Sequence, residues 1–405
     1  MALKNDNAPG RLGGSSRAAL LLSGGGARAA YQVGVLKAVA ELLPRPARNP
    51  FPIICGTSAG AINAAALATF ASRFTLGVHA LEAVWGHFRS GQVYRTEFLS
   101  LARRGAAWLS ALFLSGLGVR RPVSLLDNAP LADLLERLLR FDRIQQAIAQ
   151  GDLHAVGVTC SAYGDGMSVT FFEAAAEVRN WRRNRRMGRR TRLGVRHLLA
   201  SAAIPAVFPA VRLQHEYFGD GSVRPLAPLS PALHLGADRV LVVGVSGAQE
   251  LRARVRSRGY PSLAQIAGHL LNAAFLDALD VDLERLERDN RLALLLPPEV
   301  QRQGEVPRYI EVMTIMPSRP LDEIALEHAH ELPRSMRFFL RGSGADGSAG
   351  ATLLSYLLFE AGFCRALIEL GYQDAMRQRD GLSRFLRLTP SDATSPAVAR
   401  AEAPA

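Results

Sequence analysis

The sequence of 405 residues is poor in aromatic side chains (7%) and contains three cysteines, Cys55, Cys160 and Cys364. The cysteines are isolated, odd in number and without C-x-x-C spacing, which argues against a disulfide framework or a zinc site and predicts buried thiols. The longest apolar stretch, residues 105–119, is shorter than the roughly 20 residues that a membrane-spanning helix needs. The N-terminal residues contain no apolar core of a signal peptide, which predicts a disordered leader over residues 1–17 and a cytoplasmic protein.

Acidic residues are the minority among charged side chains, since 48 Lys and Arg against 36 Asp and Glu give a net charge of +12. Such a balance favours anionic partners, either phospholipid surfaces or nucleic acid. Seven arginines lie within residues 181–192, but few aromatic side chains are interleaved among them to stack on bases, so nucleic acid is disfavoured. We expect residues 181–192 to form a solvated, mobile loop, with a peripheral contact to anionic lipid as the alternative.

Short apolar runs alternate with longer helical patterns, which predicts an α/β protein with a mostly parallel sheet covered by helices on both faces. The predicted strands span residues 18–22, 51–55, 153–161, 167–173, 211–218, 240–245 and 309–315. The predicted helices span residues 27–43, 59–70, 131–139, 144–149, 194–203, 263–286, 323–340 and 351–370. We expect a main domain over residues 18–290, an α-rich extension over 291–388 and a disordered tail over 389–405.

A glycine-rich turn, Ser23-Gly24-Gly25-Gly26-Ala27-Arg28, joins the first predicted strand directly to a helix. Several backbone N–H groups should therefore point from a helix N-terminus at one spot, which suits an anion. Three interpretations stay open: a dinucleotide phosphate loop, an oxyanion hole and a simple tight turn. Gly24, Gly26 and Ala29 fit the pattern G-x-G-x-x-A, but the second predicted strand lacks the acidic residue that a dinucleotide site needs.

A G-x-S-x-G pattern, Gly56-Thr57-Ser58-Ala59-Gly60, lies between a predicted strand and a helix of small residues. In that context Gly56 and Gly60 permit a sharp turn that leaves the Ser58 hydroxyl at the end of the sheet, as in a nucleophile elbow. A serine that merely caps the helix is the alternative. The glycine-rich turn upstream favours the nucleophile.

A serine nucleophile needs a base, and the nine histidines offer no convincing partner. His215 and His234 are nearest in position, yet neither lies in a turn typical of a catalytic loop. Asp220-Gly221 directly follows the strand predicted at 211–218, so a carboxylate could reach the same edge of the sheet as Ser58. Asp-Gly is also an ordinary turn dipeptide, and both interpretations stay open on the residues alone.

Taken together, Gly24 to Arg28, Gly56 to Gly60 and Asp220-Gly221 occur in the order seen in the patatin-like phospholipase family, which the chain resembles. The stretches Ala200 to Pro209 and Leu235 to Val243 are similar to its bacterial members. The resemblance covers roughly residues 18 to 245 and implies a three-layer α/β/α patatin-like fold.

The resemblance implies a Ser–Asp dyad that cleaves lipid esters through an acyl-enzyme, without a metal or cofactor. By this likeness Ser58 is the nucleophile and Asp220 the base. The backbone amides of Gly24, Gly25 and Gly26 would form the oxyanion hole, and Arg28 would support that loop.

Residues 98–126 combine an apolar run with arginines at both ends, Arg103, Arg104, Arg120 and Arg121. A buried core helix is the first interpretation. The second is a lid or interfacial segment that dips into a bilayer, with the arginines reaching phosphates.

Three function classes follow from the sequence. The leading hypothesis is a serine acyl-hydrolase of lipid esters, and the second is a catalytically idle lipid-binding or scaffold protein on the same fold. The third is a nucleotide-binding protein that uses the glycine-rich turn. The physiological ester, its positional specificity and the oligomeric state are left open.

Overall fold

The computed structural model describes residues 16–44, 48–97, 103, 124–223, 227–246, 263–272, 278–297, 308–342 and 350–388. Its strands are β1 (Ala18–Leu22), β2 (Ile53–Thr57), β3 (Ala155–Ala162), β4 (Ser168–Ala174), β5 (Trp181–Arg183), β6 (Arg186–Arg190), β7 (Val211–Leu213), β8 (Glu216–Asp220), β9 (Arg239–Val243) and β10 (Glu311–Ile315). Its first helices are α1 (Ala30–Leu42), α2 (Ala59–Thr69), α3 (Phe74–Gly86), α4 (Ala129–Leu138), α5 (Asp142–Gln150), α6 (Val195–Ser201) and α7 (Ser230–His234). They are followed by α8 (Leu263–Asn272), α9 (Ala278–Leu295), α10 (Leu321–Glu327), α11 (Arg334–Gly342), α12 (Ala351–Leu357), α13 (Ala361–Arg377) and α14 (Arg379–Leu386).

The strands form one sheet in the order β10-β9-β1-β2-β3-β4-β6-β5. From β10 to β3 all neighbours are parallel, while β3 and β4 pair antiparallel as a hairpin. Parallel strands are buried on both faces and therefore read as unbroken apolar runs, as Arg-Val-Leu-Val-Val of β9 does after its first residue.

Helices cover both faces of this sheet, because alternate side chains of each strand enter different cores. Leu20 and Leu22 of β1 face a core built with α1, α2, α3 and α13. Ala19 and Leu21 face the other core, which α7 and α9 cover. The predicted three-layer α/β/α fold with a mostly parallel sheet is confirmed.

The arginine-rich stretch differs from the expectation of a mobile loop. Residues 181–190 form an antiparallel hairpin, β5 and β6, at the edge of the sheet, where β6 runs parallel to β4. The side chains of Arg182, Arg183 and Arg185 are exposed there, although the backbone of the hairpin is paired.

Two further elements differ from prediction. Residues 211–218 form part of a tight hairpin, β7 and β8, with Gln214 at a φ of 54° in its turn. The helix predicted over 263–286 is described as two helices, α8 and α9, separated by residues 273–277, which lie outside the described residues. The predicted leader over 1–15, the tail over 389–405 and most of segment 98–126 also lie outside them.

Residues after 290 pack against the predicted main domain. Strand β10 pairs in parallel with β9 and extends the central sheet. Helix α13 packs on α1, where the hydroxyl of Tyr31 donates a hydrogen bond to the buried carboxylate of Asp374 over 3.0 Å. The division at residue 290 stays a prediction, but the segment behind it supplies sheet and core.

Cys55, Cys160 and Cys364 are free and buried, as predicted. Within the described ranges, no single helix is long and apolar enough to cross a bilayer. Two bent pairs, Ala59–Thr69 with Ala71–Gly86 and Ala351–Leu357 with Ala361–Arg377, reach the required length and hydropathy only when each pair is taken together.

Candidate active site

Ser58 lies on a strained turn between β2 and α2. Its φ of 55° and ψ of −129° are far from the conformations that an L-residue prefers, which costs on the order of 1–3 kcal/mol. A Cβ atom on Gly60 would lie 2.4 Å from the carbonyl oxygens of Leu22 and Ser23, and one on Gly56 would lie 2.3 Å from the carbonyl oxygen of Gly60. Gly60 therefore lets the start of α2 approach the end of β1, and Gly56 permits the tight turn from β2 into α2.

The backbone around Ser58 is held by a serine that sequence reasoning did not single out. The amide of Ser58 donates a hydrogen bond of 2.9 Å to the hydroxyl of Ser201, at the end of α6. The same hydroxyl donates a bond of 2.7 Å to the carbonyl oxygen of Thr159 in β3. Ser201 is fully buried, so this bridge ties the elbow to the sheet away from water.

Strand pairing brings Asp220 to Ser58, because β2 and β8 pair with different parts of the same edge of β3. Residues 155–159 of β3 pair with β2 and residues 160–162 pair with β8, while β4 occupies the opposite edge. Thr57 is opposite Thr159 and Asp220 is opposite Cys160. Because β8 runs antiparallel to β3, the C-terminal ends of β2 and β8 meet head to head.

The Asp220 carboxyl is fully buried, and burial raises its pKa to about 6. The nearby Ser58 hydroxyl and the groups of Ser222 lower the pKa and oppose burial. The amide of Ser222 donates a hydrogen bond of 2.8 Å to Oδ1. Among the described residues Oδ2 has no hydrogen-bond partner, so the approach of the serine hydroxyl is looser than a full hydrogen bond, as is common in free enzymes.

The glycine-rich turn faces the same site. Gly26 has a φ of +55°, and a Cβ atom there would lie 2.3 Å from the carbonyl oxygen of Tyr356, so a larger residue meets both strain and a clash. No residue in the described part of the chain accepts a hydrogen bond from the amides of Gly24, Gly25 or Gly26. Their N–H groups are therefore available to an incoming acceptor.

Arg28 anchors the turn to the C-terminal helices. Arg28 is 2% exposed, and its guanidinium donates from Nε to the hydroxyl of Ser355 over 2.7 Å and lies 4.2 Å from the centre of the Tyr356 ring. Asp322 of α10 completes the surroundings with an ion pair at 3.8 Å. The predicted support by Arg28 thus depends on residues more than 290 positions away, which no local pattern could indicate.

A buried polar chain fixes the other side of the turn. Gln32 donates from Nε2 to the carbonyl oxygen of Ser23 over 2.7 Å, and Asn63 donates to the side-chain oxygen of Gln32 over 3.0 Å. The indole N–H of Trp85 donates to Asn63 over 2.9 Å. Helices α1, α2 and α3 therefore hold the turn in a single arrangement.

An apolar cavity of about 200 Å³ opens at Ser58 and Gly26. Ile62 and Ala66 line it on successive turns of α2, and Phe70 lines it just after that helix; its other walls include α3, α4, residues 202–208 and Tyr356. Its lining is almost wholly hydrocarbon, so the cavity favours an aliphatic chain over a polar group.

The two histidines considered as alternative bases do not line the cavity at Ser58. His215 occupies the turn between β7 and β8, and neither it nor His234 lines the apolar cavity. The His234 ring stacks on Trp181 with 5.0 Å between the ring centres, and its Nδ1 contacts the carbonyl oxygen of Ser230 at 2.8 Å.

The model of the patatin-like phospholipase family matches residues 20–233. A protein of Pseudomonas aeruginosa (strain BWHPSA011 / Pa011), named cGAMP-activated phospholipase, is 31% identical over 217 residues, which are 53% of this chain and 55% of that relative. The match therefore spans only about half the length of the relative.

Two solved structures share low identity with the chain. Human GIVD cytosolic phospholipase A2, in complex with methyl gamma-linolenyl fluorophosphonate, has 15% identity and a TM-score of 0.42 over 94% of this chain and 60% of its own. VipD from Legionella pneumophila has 13% identity and a TM-score of 0.35 over 91% of this chain and 67% of its own. The family match covers more than half of the chain and contains the turn, the elbow and Asp220, and the chain belongs to the patatin-like phospholipase family.

Proposed function

We propose that this chain hydrolyses fatty-acyl esters of lipids, with Ser58 as nucleophile and Asp220 as base. Membership of the phospholipase family supports lipid ester hydrolysis. The observation that carries the dyad is the head-to-head meeting of β2 and β8, which brings a strained serine and a buried carboxyl together where an apolar cavity opens.

In the first step Asp220 accepts the proton of the Ser58 hydroxyl as the oxygen attacks the ester carbonyl. The carbonyl π electrons move to the oxygen, which accepts hydrogen bonds from the free amides of Gly24 to Gly26. The tetrahedral intermediate then collapses, the bond to the leaving alcohol breaks, and that alcohol takes the proton from Asp220. The products are an acyl-Ser58 and a free alcohol or lysolipid.

In the second step a water molecule gives a proton to Asp220 and attacks the acyl carbonyl. The oxyanion forms at the same amides, and the Ser58 oxygen leaves with the proton held by Asp220. A fatty acid departs and both residues regain their starting protonation. A single carboxyl can serve both half-reactions because its pKa of about 6 lies close to neutral pH.

The apolar cavity would hold the acyl chain while the reaction proceeds. It is lined by Ile62 and Ala66 of α2 and by Phe70 just after that helix, which places hydrocarbon along the path that leads away from Ser58. Burying a methylene contributes about 0.8 kcal/mol, so long acyl chains should bind better than short ones. This cavity favours lipids over small polar esters.

Labelling with an active-site-directed fluorophosphonate distinguishes the proposed hydrolase from a catalytically idle lipid-binding protein. We expect the probe to label the wild-type protein covalently and Ser58→Ala not at all, while Ser230→Ala, a buried serine outside the site, labels normally. Labelling of Ser58→Ala at the wild-type rate would refute the nucleophile. Full esterase activity in Asp220→Asn would refute the base.

A membrane contact accompanies this proposal. Arg182, Arg183 and Arg185 are exposed on the β5–β6 hairpin and suit an anionic lipid surface, where each basic residue contributes about 1 kcal/mol. Sedimentation with vesicles that contain phosphatidylglycerol should weaken when all three are changed to Gln. Unchanged sedimentation would remove this surface from the proposal.

A further inference from the structure

A second cavity, polar in character, lies beside the β5–β6 hairpin. It has a volume of about 200 Å³ and lies between β6, the start of α6 and the turn of the β7–β8 hairpin. Its polar lining comes from Asn180, Arg189, Arg190, Thr191, His197 and Gln214. None of these lining residues is acidic, so the cavity carries an uncompensated positive charge.

The two arginines that line this cavity make different contacts. Arg190 donates to three backbone carbonyl oxygens, those of Ala174, Ala175 and Val178, and so fixes the neighbouring chain. Arg189 makes a single side-chain hydrogen bond, 3.0 Å from Nη2 to the Oε1 of Gln214. Within the described residues the rest of the Arg189 guanidinium is therefore open to a ligand.

The ring of His197 forms part of the cavity wall. Its Nδ1 is buried and makes no hydrogen bond with another described residue, and the ring packs edge-on against Phe171 with 5.0 Å between the ring centres. Burial lowers the pKa of this histidine, the backbone of Gly194 opposes that effect and Arg196 reinforces it. Because Nδ1 is closed off from the cavity, Nε2 is the ring nitrogen left to meet a ligand.

Asn180 supplies a donor of fixed orientation. Its Oδ1 accepts a hydrogen bond of 2.7 Å from the amide of Arg190, so its Nδ2 is the side-chain atom left to meet a ligand. Arg189, His197 and Asn180 thus present N–H donors to one small positive cavity. A group that accepts several hydrogen bonds and carries negative charge would satisfy all three.

We propose that this cavity binds a phosphate group. A tetrahedral phosphate offers several acceptor oxygens and its charge matches the fork of Arg189, whereas a neutral polar group would leave the positive charge uncompensated. The phosphate belongs either to a soluble phosphate ester or to the headgroup of an anionic phospholipid, since both present the same chemistry to these donors.

Calorimetric titration with glycerol 3-phosphate and with inorganic phosphate at constant ionic strength tests the soluble source. Arg189→Gln and His197→Phe should each weaken binding at least tenfold, because a hydrogen bond to a charged group contributes about 1.5–3 kcal/mol. Arg384→Gln is the matched control, since it removes the same charge from an exposed position of α14 outside the cavity. Arg189→Lys keeps the charge and tests the fork, and circular dichroism checks the fold of every variant.

Sedimentation with phosphatidylcholine vesicles, with and without phosphatidic acid, tests the headgroup source. Binding of soluble phosphate with the expected variant pattern supports the proposal and assigns a soluble ligand. Binding of only the phosphatidic acid vesicles, with the same pattern, supports it and assigns a headgroup. Absence of both, or equal weakening by Arg384→Gln, overturns it, and none of these readouts depends on ester hydrolysis.

Discussion

The amide of Ser58 donates to the hydroxyl of Ser201 over 2.9 Å, although 143 residues separate the two. The bond joins the most strained residue of the site to the last residue of α6, and through the same hydroxyl to β3. The Ser201 side chain has a role beyond packing, because its hydroxyl accepts a hydrogen bond from a buried N–H that the elbow would otherwise leave unpaired.

Ser201→Ala is therefore expected to lower kcat for ester hydrolysis at least tenfold while KM changes little. The substitution removes an acceptor of the elbow amide but leaves the acyl cavity unchanged, and it should also reduce the free energy of unfolding by about 1–3 kcal/mol. Steady-state kinetics well below the unfolding temperature separate the two effects. Ser201→Thr, which retains a hydroxyl, should recover part of kcat; equal losses in both variants would assign Ser201 a packing role only.

The titration of Asp220 should appear in the pH dependence of stability. Its pKa is raised from 3.8 to about 6 on folding, so its contribution to stability is complete below pH 4 and is lost as the pH rises through about 6. Asp220→Asn, which cannot ionise, should therefore be stabilised relative to wild type by about 2–3 kcal/mol more at pH 8 than at pH 4, since one pKa unit corresponds to about 1.4 kcal/mol. Urea unfolding at both pH values measures this difference.

Asp380→Asn, at an exposed carboxylate of α14, provides the comparison for that experiment. Its unfolding free energy should follow the wild-type pH curve closely. A wild-type curve that parallels Asp220→Asn would show that folding does not raise the pKa of the Asp220 carboxyl.

The same carboxyl should set the acid limb of the reaction. Only ionised Asp220 can accept the Ser58 proton, so kcat/KM should fall tenfold per pH unit below a midpoint near 6. The profile should be recorded with a soluble monomeric ester, to avoid changes in the lipid surface. A midpoint near 4 would mean that the buried carboxyl is not the titrating base.

Gly26→Ala should reduce kcat by about 100-fold or more, the order of loss seen when one oxyanion donor is removed. The added methyl would meet the carbonyl oxygen of Tyr356 at 2.3 Å and push the turn away from Ser58. Gly151→Ala is a matched control, because Gly151 also has a positive φ, +79°, but no atom within 4 Å of the added methyl. That variant should lose some stability and keep wild-type kcat.

Substitutions of Ala66 should change acyl-chain selectivity. Ala66 lies eight residues along α2 from Ser58, about 12 Å at 1.5 Å per residue. With C–C bonds of about 1.5 Å, an extended chain advances roughly 1.3 Å per carbon and reaches Ala66 after about nine carbons. Ala66→Val and Ala66→Leu should progressively lower kcat/KM for longer acyl esters and leave butyryl esters unaffected; a uniform loss over all chain lengths would contradict a role for this cavity wall.

Local patterns predicted the central strands and the elbow because their information is contained in a few neighbouring residues. The strand β1, the glycine-rich turn and α1 follow directly from an apolar run, glycines and a helical period. Asp220 was ambiguous in sequence since Asp-Gly is a common turn, and only its pairing opposite Cys160 places it beside the elbow.

Contacts between distant segments could not be predicted in this way. Ser201 lies in a stretch noted only for its family likeness, and nothing in that stretch indicates a bond to Ser58. Arg28 has a partner 327 residues away, Ser355, which stands in an unremarkable helix. The arginine-rich hairpin was misjudged because charge predicts solvent exposure, while the pairing of its backbone depends on the free edge of β4.

The contact between Arg28 and α12 also determines when, during synthesis, the glycine-rich turn gains its support. Asp220 leaves the ribosome 135 residues before Ser355, an interval of roughly 7–27 s at about 5–20 residues per second. Throughout that interval the nascent chain contains both residues of the proposed dyad but lacks the support of its glycine-rich turn. We expect a nascent chain that does not yet contain α12 to leave lipids intact, so that the proposed hydrolysis starts only after residue 355 has been added.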